Sequence, residues 1–155
     1  MQSETLEPGL RRITAPNPSP MTHTGTQTYI LGEGDVAVSD PGPAIEDHAQ
    51  AILGALGPNE QITHILITHS HVDHSELARP LANATGAPIL AAGPSHWGRR
   101  QVMMDLAATG ARDGGEGVDL QFAPDQQLVG GMILQGSWGM LEVLETPGHM
   151  SNHIS

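Results

Sequence analysis

The sequence contains no cysteine, so disulfide bonds and thiolate ligands are excluded, and any bound metal must be held by histidine, aspartate or glutamate. Lysine and arginine together number only six, and the net charge of −11 disfavours broad contact with nucleic-acid phosphates. No apolar run approaches the roughly 20 residues that span a bilayer. Residues 1–12 (MQSETLEPGLRR) also lack the apolar segment of an export signal, so we expect a cytoplasmic protein without membrane contact.

The 155 residues are enough for one domain with a packed core, and 38% of them are hydrophobic. Neither an internal repeat nor a change of composition marks a domain boundary, so residues 1–155 are treated as one domain. Hydrophobic periodicity and turn residues predict the order ββαβαβ over residues 26–92, which is typical of an α/β sheet with helices packed on it. The predicted strands are 8–14, 26–31, 35–39, 62–68, 88–92, 127–129 and 140–145; the predicted helices are 45–56, 75–85 and 97–108; residues 109–118 are predicted to form a glycine-rich loop.

The segment 68–74 (THSHVDH) follows directly on the predicted buried strand 62–68. In an extended loop the side chains of His69, His71 and Asp73 project to one side, at the end of a strand where α/β sheets commonly bind ligands. His74 follows at once and points elsewhere, which suits a second metal beside the first. Neutral imidazole and carboxylate are ordinary ligands of zinc, iron and manganese.

The HxHxDH spacing of this segment resembles the signature of the metallo-β-lactamase superfamily. Three further segments follow the family's order, namely 25–29 (GTQTY), 39–43 (SDPGP) and 146–149 (TPGH). Among its subgroups, the chain is most similar to hydroxyacylglutathione-hydrolase-like and β-lactamase-like-2 proteins. The resemblance implies an αββα sandwich, of which this sequence holds mainly the first β-sheet half with its helices. Because the later motifs of the family are missing, we expect the domain to be truncated at its C-terminus.

The resemblance also implies a set of ligands. His69, His71 and His149 would bind one metal, and Asp73 and His74 would bind a second. Zn²⁺ is expected at both sites, with iron and manganese as alternatives. Asp40 is expected to accept a hydrogen bond from a ligand imidazole or from loop backbone, whereas His153 is either a neighbour of the ligands or an ordinary surface residue.

The implied activity is hydrolysis of a small-molecule ester, thioester, lactone or amide by a metal-bound hydroxide that Asp73 helps to orient. Three alternatives stay open: a nuclease of the same superfamily, an iron-dependent sulfur dioxygenase, and a catalytically incomplete metal-binding fragment. In the last case the uncovered half-sheet would favour self-association.

The remaining histidines are expected to lie outside the site. His23 is interpreted as an ordinary loop residue, His48 and His96 as solvated, and His64 as lying on the polar face of its strand. For Trp97, Arg99 and Arg100, near the predicted helix 97–108, a packing or surface role is favoured over contact with substrate. Met103 and Met104 are interpreted as packing residues of that helix.

Overall fold

The computed structural model describes residues 1–109 and 117–155. Seven strands form one sheet in sequence order: β1 (Glu4–Glu7), β2 (Leu10–Thr14), β3 (Gln27–Leu31), β4 (Asp35–Ser39), β5 (Gln61–Leu66), β6 (Ile89–Ala91) and β7 (Gln126–Gln127). The first four strands pair antiparallel, and β4 to β7 pair in parallel. The carboxyl ends of β4, β5 and β6 therefore meet at one edge of the sheet.

Helices make the crossings between the parallel strands. Helix α1 (Glu46–Gly54) joins β4 to β5; α2 (Val72–Ser75) and α3 (Ala78–Thr85) join β5 to β6; α4 (Gln101–Ala108) follows β6. Pro80 lies in the first turn of α3, where its missing N–H costs no helical hydrogen bond. Gly86 ends α3 in a left-handed conformation, with φ of 78°, and its N–H donates to the carbonyl of Ala82.

Alternation along the central strands divides the buried side chains between two cores. Ile65 packs with Ile52 of α1 and Leu81 of α3 on one face of the sheet. Leu66 packs on the opposite face with a second core that includes Leu134. That residue belongs to a hairpin formed by β8 (Ile133–Gly136) and β9 (Gly139–Glu142). The result is a helix layer, a large sheet and the hairpin of a second sheet, which confirms the expected fold class.

Most predicted elements are present, with shifted ends. The predicted helix 75–85 begins only at Ala78, as α3, and is preceded by the separate short helix α2; α4 begins at Gln101 rather than at residue 97. The strand predicted at 140–145 ends earlier, as β9. Strand β1 was not predicted because all four of its side chains are exposed and show no apolar alternation. The predicted loop 109–118 lies mostly outside the described residues.

The prediction that His48 is solvated is wrong, because its side chain is completely buried. His48 lies on α1 four residues before Ile52, on the face that packs against the sheet. Its Nε2 lies 2.9 Å from the hydroxyl of Thr28, and that hydroxyl donates to the carbonyl of Asp40 at 2.7 Å. The buried imidazole is thus hydrogen-bonded to the strand that leads into the candidate site.

Other histidines agree with their predictions. His23 and His96 are exposed. His64 is half-buried, with its ring edge against Trp138 at a centroid distance of 5.0 Å. Within the described residues, no helix has the length and apolar character needed to cross a membrane.

Candidate metal centre

The histidine-rich segment leaves the sheet at the carboxyl end of β5. His69 is 4% exposed and His71 is 2% exposed, so both imidazoles are buried although they lie in a loop. Backbone bonds fix this loop from outside: the N–H of Val72 donates to the carbonyl of Gly117, and the N–H of Asp119 donates to the carbonyl of Ser70. The side chains therefore hold fixed directions before any ligand binds.

His149 reaches the same place from a separate turn near the end of the chain. The N–H of Thr146 donates to the carbonyl of His153, which closes the turn, and the N–H of Ile154 donates to the carbonyl of Thr68 at 2.9 Å. This second bond attaches the turn to the residue that precedes His69. Ring nitrogens of His69, His71 and His149 consequently lie within 4.8 Å of one another.

The donor set fits a single metal ion. Nε2 of His69 and Nδ1 of His71 are 3.1 Å apart. Two nitrogens bound tetrahedrally to zinc at about 2.0–2.1 Å would be separated by roughly 3.4 Å. His149 is exposed, so the group is open to solvent on one side, as a site that admits substrate requires.

Hydrogen bonds determine the tautomer of His69. The hydroxyl of Thr68 donates to Oδ2 of Asp40 at 2.8 Å, so its oxygen accepts a proton from Nδ1 of His69, which lies 2.9 Å away. Nε2 of His69 is then unprotonated and faces His71. Such an arrangement, with one ring nitrogen held by a protein acceptor and the other directed at the centre, is usual for metal-ligating histidines.

Asp40 holds a second imidazole in the same way. Its Oδ2 lies 3.0 Å from Nδ1 of His74, and its Oδ1 accepts the backbone N–H of Thr68 at 2.8 Å. With Nδ1 donating, Nε2 of His74 is directed toward Oδ2 of Asp73, at 3.4 Å. Asp40 itself is buried, with φ of 49°, an uncommon backbone conformation that the surrounding hydrogen bonds maintain.

Asp73 and His74 form the predicted second ligand pair beside the first cluster. The hydroxyl of Thr26 donates to Oδ2 of Asp73 at 2.8 Å and fixes the carboxylate. The ring of His74 lies 4.2 Å from the ring of His69, measured between centroids. The structure thus brings all five predicted ligands into one region, and their role as ligands stays a prediction.

The electrostatics of the region favour neutral imidazole at its centre. Burial, followed by the charges of the neighbouring imidazoles, His74 first, lowers the pKa of His69 to about 2. Burial acts in the same direction on His74, but hydrogen bonding to Asp40 and the charge of its carboxylate outweigh burial, so the pKa of His74 is raised. Neutral imidazole is the form that binds metal.

His153 is a neighbour of the cluster, which decides between its two open interpretations. Its ring is half-buried and stacks on that of His69 at a centroid distance of 4.9 Å. Its Nδ1 lies 2.8 Å from the hydroxyl of Thr146. Burial, followed by the electrostatic effect of the neighbouring His149, lowers the pKa of His153.

Sequence reasoning missed three residues that hold the site together. Thr26 and Thr68 lie within the motif segments 25–29 and 68–74, so the sequence motifs could have pointed to them. Asn152 carried none: it is 2% exposed, and its Nδ2 donates to the hydroxyl of Ser70 at 2.9 Å and to the carbonyl of Gly93 at 3.2 Å. It thereby joins the turn of His149 to the segment between His69 and His71.

Comparisons with known proteins agree with this geometry. A family model of the metallo-beta-lactamase superfamily matches residues 21–155. A beta-lactamase-like protein 2 homolog of Caenorhabditis elegans is 28% identical, over 98% of this chain and 46% of its own length. An atrochrysone carboxyl ACP thioesterase of Claviceps purpurea is 27% identical, over 97% of this chain and 42% of its own length.

A solved structure shares the fold. A beta-lactamase domain protein from Burkholderia ambifaria superposes with a TM-score of 0.72 and 20% identity, over 98% of this chain and 50% of that one. The chain spans less than half the length of each of these two curated relatives. From the family match and the convergence of the HxHxDH and TPGH segments, we conclude that the chain belongs to the metallo-beta-lactamase superfamily.

Proposed function

We propose that this chain supplies the metal-binding part of a metal-dependent hydrolase that cleaves a small ester, thioester, lactone or amide. The observation that carries the proposal is the orientation of two imidazoles. His69 and His74 each donate from Nδ1 to a fixed acceptor; Nε2 of His69 then faces His71, and Nε2 of His74 faces the carboxylate of Asp73. Imidazoles held in this way by a protein acceptor are typical of metal sites.

Each residue has a distinct task in this proposal. His69, His71 and His149 would hold one ion, and Asp73 with His74 would hold the second. The bound metal would supply a Lewis acid and lower the pKa of a coordinated water. Asp73, fixed by Thr26, would accept a hydrogen bond from the attacking water and hold its proton on the side away from the substrate.

A thioester is the favoured substrate within this class. The Claviceps purpurea relative is named as a thioesterase that acts on an acyl carrier protein. The open side of the cluster, beside the exposed His149, would admit an acyl chain attached to a longer thiol. A thiolate also leaves more readily than an alkoxide or an amine, so a thioester needs the least assistance from a general acid.

The first experiment measures metal content and thioester cleavage in the same preparation. Protein purified without metal is loaded with zinc, iron or manganese; metal per chain is determined by elemental mass spectrometry, and thiol release from acyl thioesters is followed by a colorimetric reagent. We expect about two ions per chain if the second site is complete and one if only the three-histidine site binds.

Variants separate metal chemistry from general effects. His71→Asn is expected to lose both bound metal and thiol release, whereas His96→Asn, at an exposed histidine outside the cluster, keeps both. Loaded protein that retains its metal but cleaves no ester, thioester, lactone or amide would contradict the proposal and support the incomplete-fragment alternative. Iron rather than zinc in protein purified without added metal would support the dioxygenase.

A further inference from the structure

A cavity of about 610 Å³ opens directly beside His149. One wall is the segment 98–100 together with Met103 of α4, and the other is the segment 147–151 that carries His149. Of the clustered side chains only His149 lines the cavity, which therefore adjoins the cluster at this residue.

Direct packing holds the two walls together. Gly98 has a φ of 70°, and a Cβ at this position would lie 3.1 Å from the carbonyl oxygen of Ser151. The N–H of Met103 donates to the carbonyl of Arg100, so this arginine begins the first turn of α4. The backbone of Arg99 and Arg100 therefore lies next to the turn that carries His149, and this contact keeps both arginines near the cluster.

The charge of this cavity differs from that of the protein as a whole. The chain contains no lysine, and its net charge is −11. Arg99 and Arg100 both line the cavity, and no carboxylate is among the described residues that line it.

The chemistry of the lining fits a substrate of mixed character. A guanidinium group binds carboxylate and phosphate oxygens through paired hydrogen bonds. Met103, Met150 and Pro147 provide apolar and thioether surface in the same cavity, suited to an acyl chain or a pantetheine arm. An anionic group held by the arginines would leave the rest of the molecule within reach of His149.

We propose that Arg99 and Arg100 bind an anionic group, carboxylate or phosphate, at the end of the substrate remote from the scissile bond. The proposal rests on the proposed function and narrows its substrate class to acyl compounds with a negatively charged terminus. It replaces the expectation that these arginines serve only packing or the surface. The charge lies either on the acyl group, as a dicarboxylic half-thioester, or on the thiol, as the phosphate of a phosphopantetheine arm.

Rates of cleavage of three thioesters by the zinc-loaded protein distinguish these sources. The substrates are a neutral acyl group on N-acetylcysteamine, the same group with a terminal carboxylate, and the neutral group on pantetheine 4′-phosphate. The double variant R99Q/R100Q is compared with R12Q/R79Q, which loses the same charge away from the cavity. We expect R99Q/R100Q to lower the ratio of anionic to neutral kcat/KM by about tenfold or more. The anionic thioester whose kcat/KM falls relative to that of the neutral thioester identifies the source of the charge. If neither ratio changes in R99Q/R100Q, the proposal is overturned.

A binding measurement separates this proposal from the proposed function. Glutarate and pantetheine 4′-phosphate are titrated into the metal-free protein by calorimetry, and circular dichroism confirms that each variant is folded. We expect at least one probe to bind, with Kd raised about tenfold in R99Q/R100Q and unchanged in R12Q/R79Q. Binding that depends on the arginines supports the proposal even if no thioester is cleaved. Equal affinities in all three proteins, or no binding by the wild type, overturn it.

Discussion

The burial of His48 makes the stability of the fold depend on pH. Burial lowers the pKa of this imidazole from its ordinary value of 6.5 to about 4. The hydroxyl of Thr28 donates to the carbonyl of Asp40, so Nε2 of His48 must carry the proton that the hydroxyl oxygen accepts. Nδ1 is buried and has no hydrogen-bond partner among the described residues. A second proton on the ring would be desolvated, and a hydrogen bond to the backbone of Pro41 offsets only part of that cost.

The sign and size of the effect follow from linkage between protonation and folding. Above about pH 6.5 the imidazole is neutral in the folded and the unfolded chain, and its contribution to stability is fully present. As the pH falls from about 6.5 to about 4, only the unfolded chain takes up the proton, and the free energy of unfolding decreases. At about pH 5 the loss amounts to about 2 kcal/mol. Typical domains have about 5–15 kcal/mol in all, so the loss is readily measurable.

The assay compares urea unfolding of the wild type and His48→Gln in metal-free protein at about pH 7.5 and about pH 5. Glutamine keeps an N–H donor for Thr28 but does not titrate. The clustered histidines are the same in both proteins, so any contribution they make cancels in the difference. We expect the stability advantage of the wild type to shrink by about 2 kcal/mol between the two pH values. A difference that is independent of pH, or an NMR titration of His48 near its ordinary pKa, would refute the reasoning.

Two further predictions concern the metal site and the hairpin. Asp40→Asn keeps the shape of the side chain but removes the charge that orients His74 and Thr68. We therefore expect metal affinity, measured by chelator competition, to fall about 10- to 100-fold. Asp35→Asn, at an exposed aspartate, is the control, and equal affinities of the two variants would contradict the role of Asp40. Ile133 and Met140 of the hairpin are 53% and 71% exposed, so we expect concentration-dependent self-association in sedimentation velocity that I133Q/M140Q weakens. A wild-type monomer at all concentrations would count against the second prediction.

The candidate site was predictable where its chemistry is local in the sequence. His69, His71 and Asp73 alternate along a segment that follows a buried strand, and this spacing alone predicts convergence. His149 required the family motif, because no local pattern relates it to a segment 80 residues earlier. Thr26 and Asn152 were missed because their bonds to Asp73 and Ser70 span 47 and 82 residues, respectively. Contacts of this range depend on strand order and register, which periodicity does not report.

The same distinction explains the strands that were missed or shortened. Strand β4 has an apolar alternation that packs against α1 and was predicted with its observed bounds. Strand β1 and most of β8 present exposed side chains, so their pairing comes from backbone hydrogen bonds that leave no pattern in the residue types. Apolar periodicity therefore predicts the central strands of this sheet but not the strands at its edges.

His48 shows a different limit, in which residue type outweighs position in the prediction, whereas Arg100 is exposed as predicted. His48 lies at the helical spacing of Ile52, on the buried face of α1, yet its polarity predicted solvent. Arg100 follows another arginine near a predicted helix, and that pattern is typical of a solvated surface. Its place beside His149 depends on the contact of Gly98 with Ser151, across more than 50 residues of chain. In both cases a polar residue stands where the fold brings distant segments together, and such residues are the ones to test first in relatives with the same two histidine motifs.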